Sequence, residues 1–298
     1  MMAPFRKFAV HSGRKKNTGV ALITALLIVS LATVATVSLT ASHQLDLRRS
    51  LTTYNIGQAQ MYGRSIEALA SELITTLRND AELAEQLTRT CQSPPLQLEM
   101  SGFQIQARLK DLHCRLNLNN LLDPDDEATE TGFIQLVDAL NRRHNDMNLA
   151  PRAIISALRD WRNPEIEDDW YTRQSPPYRA ANQPLFSTSE LLLIRGMNPT
   201  AYRYLEPYIT ALPESGTALN EASLPPLLRD AYEFPPQEEM DAEKQGAWGR
   251  YIELAVSIRQ ATFVYSQCAV IDAERGAVLH RYQQPCPRSP TSDLATTR

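Results

Sequence analysis

The 298-residue chain lacks the signatures that usually announce catalysis, with no GxSxG, no HExxH and no Walker loop. Those absences leave no recognisable nucleophile elbow, zinc-protease pair or phosphate cradle. No cysteine pair has CxxC spacing, which argues against a zinc site or a redox motif. Acidic residues are missing from positions 1–19, which hold Arg6, Lys7, Arg14, Lys15 and Lys16. Charge of either sign is missing from Val20 to Leu39. The formal net charge of −4 therefore understates the acidity of everything after the basic start. An acidic body excludes nucleic acid as the main partner, because phosphate binding needs clustered Lys and Arg.

What is present begins with that uncharged run. It has about the length, 20 residues, that a helix needs to cross a hydrocarbon core. A cleaved secretory signal has a shorter apolar region of about 7–15 residues. The basic residues in front place the N-terminus in the cytoplasm and the body outside. Beyond the run, Tyr62, Ile66, Leu69, Leu73 and Leu77 recur at steps of three and four, predicting one apolar helix face. Val20 to Asn79 thus reads as one helix of roughly 90 Å at about 1.5 Å per residue, loosened at Gly57 and Gly63. All four cysteines follow the apolar run. Cys91 with Cys114, and Cys268 with Cys286, fit two disulfides of an oxidising compartment, the alternative being four reduced core thiols.

The body alternates between strand and helix signals. Leu96–Met100 and Phe103–Leu109 alternate apolar and polar residues around Ser101-Gly102, which predicts a hairpin. Arg115–Leu122 follows, then an acidic loop, Asp123 to Glu127, expected to face solvent. Helical spacing covers Phe133 to about Arg162 in two elements. Ser187–Glu190 matches a capping box opening a helix that Gly196 stops. Further helices are expected over Pro199–Tyr208 and from Pro225 to Asp230. Phe234–Gly249 reads as a solvated connector. Tyr251–Ile271 is β-rich, and Glu274-Arg275-Gly276 turns the chain into Ala277–Tyr282. Helices set between two β regions predict an α+β fold with a helical lobe at about residues 114–230.

The basic leader ending in Gly19, the apolar helix starting at Val20 and its amphipathic continuation resemble the type IV pilin class. That resemblance implies that a prepilin peptidase cuts between Gly19 and Val20 and methylates the new N-terminus. It also implies a pilin-like fold, with a long N-terminal transmembrane helix, a small antiparallel sheet and a large inserted all-helical lobe. Pilins usually carry Glu at the fifth mature position, where this chain has Thr24. A carboxylate in lipid is costly unless a neighbouring subunit pairs with it. Thr24 can return its hydroxyl to a helix carbonyl instead, which suits a subunit with no neighbour above it.

The strings LNLNNL (Leu116–Leu121), PPYRAANQP (Pro176–Pro184), SELLLIRG (Ser189–Gly196), LEPYITALP (Leu205–Pro213) and LNEAS (Leu219–Ser223) resemble the minor pseudopilin K family of type II secretion systems, GspK. The last departs from the family's usual N-x-N-T-A. The resemblance implies five parts: leader 1–19, transmembrane helix 20–40, helix and first hairpin 41–113, helical lobe 114–230, and C-terminal β part with tail 231–298. It implies an inner-membrane protein with a periplasmic body at a pseudopilus tip, partnered by minor pseudopilins I and J and the major pseudopilin.

Asp160–Tyr171 gathers Asp160, Glu165, Glu167, Asp168 and Asp169. In the family a D-W-x-D-x-D stretch followed by E-D-x-x-Y surrounds a calcium-binding region. Here Asp160, Glu167, Asp168 and Tyr171 match, Asn163 and Glu165 replace two aspartates, and the intervening loop is shorter. Calcium at Asp160, Asn163, Glu165, Glu167 and Asp168 is the implied reading. A solvated acidic loop at a helix end is the alternative reading of the residues themselves. Two rival functions remain: a minor tip pilin of a type IV pilus, and a membrane-anchored periplasmic hydrolase without a recognisable signature.

Overall fold

The computed structural model describes residues 18–79, 90–166, 169–235 and 248–288. The chain divides into two units, Met1–Gln58 and Ala59–Arg298, taken here in turn. Helix α1 (Thr18–Asn79) is 62 residues long and starts in the first unit. Its apolar stretch reaches a mean hydropathy of 2.3, long and apolar enough to cross a membrane. Five hydroxyls along it, on Thr24, Thr33, Thr36, Thr40 and Ser42, each donate to the carbonyl four residues back. In lipid, where water cannot satisfy a hydroxyl, this back-bonding removes the cost of carrying it.

In the second unit, the rest of α1 covers one face of a five-stranded antiparallel sheet ordered β1-β2-β5-β6-β7. The strands are β1 (Leu96–Met100), β2 (Phe103–Asp111), β5 (Tyr251–Gln260), β6 (Phe263–Asp272) and β7 (Ala277–Tyr282), and the short β3 (Leu116–Asn117) and β4 (Ile209–Thr210) pair in parallel elsewhere. Alternate residues of β2, Phe103, Ile105, Ala107 and Leu109, meet Ile252, Leu254, Val256 and Ile258 of β5 beneath the helix. The predicted hairpin is present, the β-rich segment from Tyr251 forms β5 and β6, and the last predicted strand is β7.

The helix face differs from the expected stripe. Ala59, Gly63, Ile66, Glu67, Ala70, Ile74 and Leu77 turn inward, whereas Leu69 and Leu73 are 58% and 37% exposed. Two contacts rotate the face. Gly63 approaches Gln267 so closely that a Cβ would lie 2.6 Å from its side-chain oxygen, and Glu67 pairs with Arg281 of β7 while accepting from Gln267. A buried carboxylate must meet its partner, so this pair overrides the choice between Leu69 and Ala70.

The helical lobe occupies the interval between β2 and β5 and has its own core. Helices α2 (Glu127–Arg143), α3 (Pro151–Arg162), α4 (Asp169–Thr172), α5 (Pro199–Leu205) and α6 (Pro226–Ala231) bury Phe133, Leu136, Leu158, Trp161, Tyr171 and Leu228. Asp126 caps α2 by accepting from the Thr129 amide and hydroxyl, so the acidic loop is not merely solvated. The Ser187–Glu190 capping box forms as read, but it opens a 3-10 turn, Thr188–Leu193, instead of an α-helix. Gly196 follows at φ +92°, where its lack of a Cβ is required. Of the expected connector, residues 236–247 lie outside the described residues.

Gly132 in α2 faces the Tyr232 ring, and a Cβ there would run into the ring carbons. Alanine is intrinsically the better helix former by about 1 kcal/mol. Overpacking a filled core costs about 1–3 kcal/mol, so Gly132→Ala should lower the urea midpoint overall. A raised midpoint would mean that Tyr232 yields freely.

Candidate functional site

Three regions carry the chemistry of this molecule: the acidic loop, the two cystines and the joint between sheet and lobe. In the acidic loop, Asp160 ends on the last turn of α3, with its carboxylate 3.6 Å from the Arg195 guanidinium. Asn163 closes the helix, its amide reaching the carbonyls of Arg159 and Asp160, and its side-chain oxygen accepts from the Glu165 amide at 2.9 Å. Glu165 is exposed, and Glu167 and Asp168 lie outside the described residues. Asp169 opens α4 and pairs with Arg173 at 2.9 Å. Beneath the loop Tyr171 is 1% exposed and sits edge-on to Trp161 and Trp170 at 5.2 and 5.1 Å. The aromatic cluster thus anchors both ends of the loop.

The donors of this loop are all oxygens, the chemistry a hard cation selects. Their described members are not gathered around a point. Among the described residues, one trio of acidic or thiol ligand atoms lies within 4.8 Å, Glu253 with Cys268 and Cys286, and its two sulfurs are bonded to each other.

Cys91 is bonded to Cys114, with Cα atoms 5.9 Å apart, and Cys268 to Cys286 at 4.9 Å. The first joins the segment after α1 to the turn that follows β2, where the Asp111 amide donates to the Cys91 carbonyl at 2.8 Å. The second pins residues 283–288 against the face of β6 turned away from α1. The Gly19–Val20 bond lies in the first turn of α1.

The joint is a polar construction. Asp111, 2% exposed, accepts from the His113 amide at 2.9 Å, the Asn220 side chain at 2.7 Å and the Gly249 amide at 3.1 Å. One carboxylate therefore holds the end of β2, the closing loop of the lobe and the return to β5. Burial raises its pKa although these donors oppose the shift. Across the joint Arg250 forks onto Asp272 at 3.0 and 2.7 Å and reaches Glu214 of the lobe at 2.9 Å. The hydrogen bonds from Arg250 hold the Asp272 carboxyl below its usual range.

The LNLNNL string supplies a second seam. Asn119, 1% exposed, donates to the carbonyls of Leu185 and Leu212 and accepts from the Leu185 amide. Asn117 accepts from the Leu212 amide and donates to Glu214 and Thr217, while Asn120 donates to the Thr217 carbonyl. Three buried amides thereby satisfy loop backbone that would otherwise cost about 1–3 kcal/mol per orphaned group. Periodicity could not reveal Asp111, Arg250 or the Glu67–Arg281 pair, whose partners are remote in sequence. One available signal was an acidic residue, Glu67, inside an otherwise apolar helix face.

Comparison with known proteins agrees with this architecture. Residues 114–214 match the family model described as type II secretion system, protein K. Type II secretion system protein K of Pseudomonas aeruginosa is 31% identical over 254 residues, covering 79% of this chain and 74% of the relative. That of Klebsiella pneumoniae is 30% identical over 220 residues, covering 71% and 68%. A chain in the crystal structure of the GspK-GspI-GspJ complex from the enterotoxigenic Escherichia coli type 2 secretion system superposes with a TM-score of 0.60 at 20% identity, covering 80% of this chain and all of that one. A long apolar helix, a small antiparallel sheet and a helical lobe inserted into that sheet define a pilin-like subunit with an enlarged head. The chain belongs to the type II secretion system protein K family, the minor pseudopilins of that machine.

The opposite shifts of the two aspartates have opposite consequences. Asp272, with its folded pKa below the unfolded value of about 3.9, adds stability above that value and loses it as pH falls through the folded pKa. Asp111, shifted upward, works the other way. Asp272→Asn should cost about 2 kcal/mol at pH 7 and flatten the acid limb of the stability curve. Urea midpoints from pH 7 to pH 2 measure this, and an acid limb as steep as wild type would show that other carboxylates carry it.

Proposed function

We propose that this minor pseudopilin starts and caps a periplasmic pseudopilus for protein export, by assembly and without catalysis. The observation that carries the reading is the helical lobe inserted between adjacent strands β2 and β5, a head too bulky for another subunit to stack above it. Thr24 supports the same position. Its hydroxyl is bonded to the Val20 carbonyl at 3.1 Å, so position 24 places no carboxylate in the lipid that calls for a neighbour's amine. Minor pseudopilins I and J are the proposed neighbours, in keeping with the complex to which the fold is similar. The outward Leu69 and Leu73 offer their helices an apolar face. The major pseudopilin would follow below.

Before assembly α1 holds the protein in the inner membrane, with the basic start in the cytoplasm and the body in the periplasm. Prepilin peptidase cuts at Gly19 and methylates Val20. Mass measurement of the mature N-terminus should find methylated Val20, and deletion of the gene should abolish export or change pseudopilus length. An intact leader, or unchanged export in the deletion strain, would end this reading.

The acidic loop is proposed as a calcium site built from Asp160, Asn163, Glu165, Glu167 and Asp168. Its oxygen-only donor set supports this, and Asp160 must then exchange Arg195 for the ion. Calcium at 100 times its Kd should add about 2.7 kcal/mol of stability, and Asp160→Asn should lose most of that gain. A thermal midpoint indifferent to calcium would leave the loop as a solvated helix end.

A further inference from the structure

The face of the sheet turned away from α1 holds a basic trough that the assembly role does not use. Cross-strand registers place its side chains in rows. Gln106 faces Ser257, which faces Ser266, and Arg108 faces Ala255, which faces Cys268. Three small side chains, Ala255, Ser257 and Ser266, line a hollow of about 240 Å³, walled by Arg108 on β2 and by Pro285 and Cys286 of the pinned C-terminal segment. The hollow has room for one or two side chains, not for a folded element.

Its electrostatics run against the rest of the molecule. Arg108 is half-buried and forms no hydrogen bond or ion pair among the described residues. Lys110 at the next row is already engaged with Glu253 at 2.8 Å, and Arg259 stands exposed two rows the other way, beyond Ser257. A guanidinium held partly out of water without an acceptor is costly to keep unless a partner supplies one. The serine hydroxyls and the Gln106 amide beside it can meet the remaining polar atoms of such a partner.

We propose that this trough docks an extended acidic segment of a partner protein, with a carboxylate on Arg108 and its backbone along Ser257 and Ser266. Charge complementarity selects the partner: Arg108, without an ion pair among the described residues, stands on one face with Lys110 and Arg259 in a body that is acidic overall. Nucleic acid is disfavoured by the same body charge. The inference goes beyond assembly at the tip and is tested on the isolated chain, so its failure and the failure of that role are separable.

The test uses the full-length protein in detergent micelles and a fluorescein-labelled peptide of alternating Asp and Ser, read by fluorescence anisotropy at low and moderate salt. Binding should weaken about tenfold or more in Arg108→Glu. Ser257→Trp, which fills the hollow and keeps the charge, should weaken it similarly. Arg142→Glu on the exposed end of α2 should leave it unchanged, and a Lys-Ser peptide should not bind. No binding by the acidic peptide, wild-type binding in both trough variants, or equal loss in Arg142→Glu would overturn the proposal. Displacement of the peptide by inorganic phosphate at matching concentration would also overturn it, as an anion site only.

Discussion

Strands β2 and β5 are hydrogen-bonded neighbours along eight residue pairs, although the whole helical lobe lies between them in sequence. The lobe must therefore leave and re-enter the sheet at one place, and Asp111 is the group that closes that place. Its carboxylate collects donors from the exit, from the end of the lobe and from the return. Arg250 performs the matching task on the return strand through Asp272 and Glu214. Leu112, Leu212, Tyr251 and Val270 fill the space between these two polar clasps. Closing a long loop costs little more than closing a moderate one, so a large insertion is tolerated when its two ends are held this firmly.

The same economy explains the asparagine-rich string. Residues 116–121 run from the sheet into the lobe, and their side chains stand in for secondary structure that the irregular loops at Leu185 and Leu212 lack. An amide carries both donors and an acceptor, so it can bond a carbonyl and an N–H at once. A serine or an aspartate at Asn119 could do only part of this. These amides tie the lobe together internally, Asp111 and Arg250 tie it to the sheet, and each body keeps its own apolar core. For a subunit proposed to sit at a tip, that arrangement holds the head on the sheet without depending on a large shared core.

Much of this was legible from residue order. The hairpin at Ser101-Gly102, the capping box at Ser187, the two helices before Arg162 and the late strands all rest on contacts between residues close in sequence, which local pattern reports directly. The misreadings came where remote residues decide. Leu69 and Leu73 fit an amphipathic template as well as Ala70 and Ile74 do, and the buried Glu67–Arg281 pair selects the latter. The stretch from Thr188 forms a 3-10 turn that buries Thr188 and Leu191 and ends at the buried Ile194. The calcium reading at Asp160 is of another kind, since it rests on the family resemblance and not on local pattern, and the Asp160 carboxylate lies 3.6 Å from Arg195.

Sequence alone determined that the chain carries a helix long and apolar enough to cross a membrane, because twenty uncharged residues behind a basic start match the thickness of a hydrocarbon core. It also determined the α+β character and the helical interruption of the sheet, since hydrophobic period is a local property. Only the tertiary structure decided which face of α1 turns inward, how the lobe is clasped to the sheet, and that Arg108 finds no acceptor among the described residues beside a hollow of small side chains. Those outcomes depend on charges and amides meeting across long stretches of chain, and on what the packed neighbours leave unpaired, which no local pattern encodes.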